Sequence, residues 1–79
     1  MSHTPHELPE EFPQFVEKMH ALKESDAHFA RLYDEYYDVN NAVFRAETRL
    51  DPMEDLAMDQ LRKKRALLKD QIWGILSKA

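Results

Sequence analysis

Seventy-nine residues, 43% of them hydrophobic, 33% charged and none of them cysteine, suffice for one small domain and exclude a disulfide framework or a thiolate metal site. So short a chain buries only about 60% of its unfolded surface, so stability is expected from regular helix packing or from self-association. The net charge of −4 argues against nucleic acid or an anionic membrane as the main partner.

The charge is unevenly placed. Residues 1–40 carry 3 Lys/Arg against 9 Asp/Glu, whereas residues 41–79 carry 8 against 6, so the two halves attract one another. One glycine and four prolines, three of them before residue 14, leave few helix breakers and point to an all-α protein. No apolar run has the length of a signal-peptide core or of a membrane span, and a cytoplasmic location is the expectation.

Residues 1–9 are polar, hold two prolines and show no periodicity, and are read as a flexible tail before a single helical domain over 10–79. His3 and His6 lie near the N-terminus, but without further ligands they are incidental rather than a copper or nickel chelate. A first helix is predicted over 10–24, where Phe12, Phe15, Val16, Met19 and Leu22 mark one apolar face. Pro9, Pro13, Glu10 and Glu11 all suit its first turn. Ser25 is a candidate N-cap for the next helix, with Asp26 in the first turn. His20 and His28 flank this bend without convergent carboxylates and read as surface histidines.

The second helix, over 26–50, has the clearest pattern in the chain. Phe29, Leu32, Tyr36, Val39, Val43, Ala46 and Leu50 recur at alternating spacings of 3 and 4, a heptad seam that buries one narrow stripe on another helix. A third helix, over 53–77, repeats the pattern with Met58, Leu61, Arg65, Leu68, Ile72 and Ile75. Between them Asp51 is the predicted N-cap, Pro52 the first helical residue and Glu54 the partner in a capping box. So short a connection makes the two helices antiparallel neighbours, a coiled-coil-like hairpin.

Register follows from matching the seams. With Val43 opposite Leu61, Ala46 meets Met58, Val39 meets Arg65, Tyr36 meets Leu68, Leu32 meets Ile72 and Phe29 meets Ile75. The flanks then place Glu47 near Arg62 and Glu35 near Lys64. Such exposed pairs select a register rather than drive folding. Arg65 is the one charge in the seam, and it either snorkels along an apolar stem to water or meets Asn40 or Asn41.

Beside the seam, Tyr33, Tyr37 and Phe44 of the second helix and Trp73 and Leu76 of the third form an aromatic face that two helices cannot bury. The first helix could fold back over it. Alternatively the face makes a dimer or receives another protein, since Trp and Tyr are frequent interface anchors. Whether the cover is in cis or in trans stays open at this level.

No phosphate-binding glycine loop, His-Glu-x-x-His helix or nucleophile triad is present, and the carboxylates are spread over solvated faces. A catalytic function is not expected, nor a metal or cofactor. The run Arg62, Lys63, Lys64 and Arg65, with Lys69, is the only basic cluster, and it is the alternative reading, a nucleic-acid contact.

Two blocks carry a resemblance. The stretch Ala27-His28-Phe29-Ala30-Arg31-Leu32-Tyr33-Asp34-Glu35-Tyr36 precedes Leu61-Arg62-Lys63-Lys64-Arg65-Ala66-Leu67-Leu68-Lys69-Asp70-Gln71-Ile72 in the order and spacing of the small bacterial YdcH-like proteins of unknown function, and the chain resembles them over most of residues 15–76. The resemblance implies a helical hairpin or coiled coil in the bacterial cytoplasm and no particular activity. Tyr36-Tyr37 and Val39-Asn40-Asn41 stand where that family has more polar, acidic residues. Taken together, these readings describe a non-enzymatic protein–protein interaction module that self-associates through helix packing, with a nucleic-acid-associated accessory protein as the alternative.

Overall fold

The computed structural model describes residues 5–48 and 54–78. They form helices α1 (Leu8–Glu11), α2 (Val16–Ser25), α3 (Ala27–Glu47) and α4 (Asp55–Leu76), with a 3₁₀ turn at Pro13–Phe15 between the first two. The described residues contain no strand, and the fold is all-α. Helices α3 and α4 pack on each other as the expected hairpin. Two bonds fix their sense: Arg62 Nη2 donates to Glu47 Oε2 at 2.9 Å, and Arg65 Nη1 to Asn40 Oδ1 at 3.1 Å. Falling numbers on α3 meet rising numbers on α4, so the pair is antiparallel.

The seam is buried where heptad spacing puts it. Phe29, Leu32, Tyr36, Val39, Val43 and Ala46 of α3 are buried, as are Leu68 and Ile72 of α4, while Met58, Leu61 and Ile75 are partly buried against them. One position departs from the expectation. Leu76, placed on the outer aromatic face by the sequence, is 1% exposed and belongs to the core. A straight helix of 3.6 residues per turn drifts against a 3.5 repeat, so by the last turn of α4 the residue four after Ile72 has replaced Ile75 as the better buried one.

The N-terminal part differs most. Residues 5–9 are not a loose tail: Leu8 is 2% exposed and joins the core, and α1 starts there. Residues 1–4 lie outside the described residues. The single helix expected over 10–24 is instead α1, the 3₁₀ turn and α2, because Pro13 cannot donate a backbone bond and forces Phe12 to φ −130° and ψ 63°, outside helical space. Leu8, Phe12, Phe15, Met19 and Leu22, at spacings of 4, 3, 4 and 3, nevertheless turn one apolar side to the hairpin, all buried or partly so. Val16 stays off that side and is exposed.

The bend before α3 is capped by Asp26, not Ser25. Its carboxylate accepts from the backbone N–H of His28 at 3.0 Å and of Phe29 at 3.2 Å, whereas the Ser25 hydroxyl bonds back to the Ala21 carbonyl. A hydroxyl that satisfies its own helix cannot cap the next. At the hairpin turn, α3 ends at Glu47 and Thr48 closes it, its hydroxyl donating to the Phe44 carbonyl at 2.9 Å. Glu54 is itself the extended N-cap of α4, with no side-chain cap bond, so the helix begins two residues later than expected. The capping box proposed for Asp51 and Pro52 lies outside the described residues, as does Leu50.

Candidate interaction face

The N-terminal segment, residues 5–25, lies as a third arm on the hairpin, and its contacts define the face. Trp73 of α4 is stacked on Phe12 with ring centroids 5.6 Å apart and planes 11° apart, and Phe15 meets it edge-on at 5.7 Å and 71°. Both are favourable aromatic geometries. Tyr33 of α3 packs on Phe29 at 6.2 Å, and the Lys23 ammonium sits 4.1 Å from its ring centre. Burial, with Glu7 and Asp34 nearby, pushes the Tyr33 phenol above its usual range. Tyr37 lines a small recess with Leu8 and Pro9 but stays 53% exposed.

Of the expected face, then, Tyr33 and Tyr37 share a recess with Leu8 and Pro9 of the arm, and Trp73 meets the arm separately at Phe12 and Phe15. Leu76 lies beneath it. Phe44, one turn beyond Asn40 on α3, is half-buried and has no ring partner among the described residues.

Polar contacts tie the arm down at four points. The Tyr36 hydroxyl donates to the His6 carbonyl, and Asn40 Nδ2 donates to the Pro5 carbonyl at 2.9 Å. Asn40 also accepts from Arg65, so one buried amide links the seam cation to the start of the arm. His6 has φ 63°, a left-handed conformation for which histidine is among the enriched residues. Farther along, Lys69 Nζ bonds Glu11 Oε1 at 2.9 Å, and Lys18 Nζ bonds the Leu76 carbonyl at 2.8 Å, where the negative end of the α4 dipole favours a cation. The Lys69 bond holds the Glu11 carboxyl below its usual range against the opposing effect of burial, and His6 at 3.3 Å lowers it further. The buried Tyr36 phenol is pushed up to about 12, by burial first and then by Glu11.

The basic cluster is drawn into the same framework. Arg62 pairs with Glu47, Lys63 with Asp59 at 3.1 Å, Arg65 with Asn40 and Lys69 with Glu11. Lys64 is exposed, and the bond expected between it and Glu35 does not form among the described residues. Four of the five cations of the cluster therefore have a carboxylate or amide oxygen as partner within the chain. No group of three or more potential metal ligands is found among the described residues. Nor is any described helix long and apolar enough to cross a membrane.

Pro5, His6, Leu8 and Glu11 were not anticipated as part of the site. The signal available was Leu8, four residues before Phe12 and in phase with the stripe that follows, but Pro9 and Pro13 disguise it.

Compared with known proteins, residues 29–76 match the model of a family described as a protein of unknown function, DUF465. No curated protein and no solved structure matches the chain. The matched part is the hairpin from the first seam residue to the last buried one, and the arm lies before it.

Proposed function

The chain belongs to the DUF465 family, the small YdcH-like helical proteins, and from that premise we propose that it is a non-enzymatic cytoplasmic protein–protein interaction module that self-associates through helix packing. One observation carries the reading: the family's hairpin already receives an amphipathic helical segment on an aromatic seat, here a segment of the same chain. Leu8, Phe12, Phe15, Met19 and Leu22 of that segment follow the 3/4 spacing by which helices are read in a groove. Trp73 keeps 45% of its surface exposed under this cover, and Leu67 and Leu56 on the outer side of α4 keep 58% and 68%. Apolar surface of that kind favours further contact.

Sedimentation velocity from micromolar to millimolar chain tests it. A concentration-dependent species heavier than 9.4 kDa is the expected result. A single monomeric boundary across that range would count against self-association.

A further inference from the structure

Helices α2 and α3 are one residue away from being a single helix. Across their joint, the Asp26 N–H bonds the Leu22 carbonyl at 2.8 Å and the Ala30 N–H bonds the Asp26 carbonyl at 3.0 Å, both with helical i to i−4 spacing. Only Asp26 leaves helical space, at φ −129° and ψ 104°. From Gln14 to Asp51 the sequence holds neither proline nor glycine, so nothing in it forbids a continuous helix there. The bend is held by the Asp26 carboxylate on the His28 and Phe29 N–H groups, and by the seating of the arm. Were Asp26 to turn helical, those two N–H groups would find the Glu24 and Ser25 carbonyls instead. The Ala27 N–H, which has no acceptor across the joint among the described residues, would gain that of Lys23.

We infer that the chain pairs with a second copy by reciprocal exchange of residues 5–25 about Asp26. The arm swings off its own hairpin as α2 and α3 straighten, and lies in the same seat on the other copy. The contacts that close the monomer are all between the arm and the hairpin, so each can form between copies: Phe12 on Trp73, Glu11 on Lys69, the Tyr36 hydroxyl on the His6 carbonyl, Lys18 on the Leu76 carbonyl. Exchange therefore sacrifices no packing, and the straightened joint adds backbone bonds. Arm and seat belong to one sequence, which is why the second copy is the fitting occupant rather than a foreign helix. This inference rests on the self-association proposed above and specifies its geometry.

Three variants, followed by sedimentation velocity with helical circular dichroism as the folding control, decide it. Asp26→Ala removes the cap that only the bent form needs, twice per dimer. The dimer midpoint should fall to roughly tenfold to thirtyfold lower concentration. Asp26→Asn keeps a capping side chain and should remain near the unaltered chain. Ala27→Pro places the ring at the first position of α3, where a proline is welcome and its predecessor is already extended. In a straight helix the same ring is excluded, so dimerisation should weaken more than a hundredfold. Emission of Trp73 should stay the same in monomer and dimer, because Phe12 covers it in both.

A dimer that survives Ala27→Pro with its midpoint unchanged would overturn exchange while leaving self-association through another surface intact. Equal midpoints for Asp26→Ala and Asp26→Asn would also overturn it. If the unaltered chain and Asp26→Ala are both monomeric throughout, self-association itself fails.

Discussion

Tyr36 shows how one side chain can belong to two interfaces. Its ring sits in the seam at 1% exposure, while its hydroxyl reaches out to hold the His6 carbonyl of the arm. Losing that bond in Tyr36→Phe should lower stability by about 1 kcal/mol, read from urea unfolding. The hydroxyl also sets an alkaline limit. Its pKa is raised from 10.0 to about 12, so the folded state binds this proton more tightly than the unfolded one. The contribution is complete below pH 10 and is lost as pH rises toward 12. Tyr36→Phe should lack this component of the alkaline fall. Glu11 acts at the other end with the opposite sign: its pKa is depressed below 4.5 by Lys69, so its contribution is present above that value and fades as pH drops through the folded pKa. A third residue offers a gain. Gly74 lies inside α4 without positive φ, and a Cβ built there meets nothing within 4 Å. Gly74→Ala should raise unfolding stability by about 0.5–1 kcal/mol.

Among the elements, the hairpin and the arm differ in how they are held. The hairpin has a continuous seam of large apolar side chains. The arm has Leu8, Met19, two aromatic contacts with Trp73 and a few polar ties. Leu8→Ala should cost about 2–4 kcal/mol, and most of the loss should appear as local opening. Amide exchange is expected to quicken in α1 and α2 while the centres of α3 and α4 keep their protection. Uniform loss of protection would show that the arm is no separate unit. The same contrast explains what could be read beforehand. Heptad spacing reports burial directly, so the seam, the antiparallel register and the Glu47–Arg62 contact were legible from residue order. The cap at Asp26 was missed by one residue because serine and aspartate are near-equal cappers, and only the bond from Ser25 back to Ala21 separates them. The apolar face of the arm is legible in Phe12, Phe15, Met19 and Leu22, whereas its start at Leu8 and its division at Pro13 are not, because the prolines break the helix without breaking the phase of its apolar residues. Tyr33, Tyr37 and Trp73 are legible from their place beside the seam on two helices, but the Pro5 and His6 carbonyls that hold Asn40 and Tyr36 leave no mark in a sequence.

For the molecule as a whole, the uneven charge is spent locally. Acidic Glu47, Asp59 and Glu11 take up Arg62, Lys63 and Lys69, and the net charge of −4 that remains repels a polyanion. Labelled single-stranded RNA at low salt is therefore expected to remain free when titrated with the chain by fluorescence anisotropy. Tight association that weakens steeply with added salt would instead revive a role for the 62–69 cluster.

The meeting of Arg65 with Asn40 has a consequence for fidelity. The half-buried Arg65 guanidinium has the Asn40 oxygen opposite it, and losing that partner costs about 1 kcal/mol. Any rival helix that offers leucine or valine at the matching level, or that slides by one turn, loses that bond. A greasy stripe alone would accept many strangers. This lone cation makes the hairpin choosy.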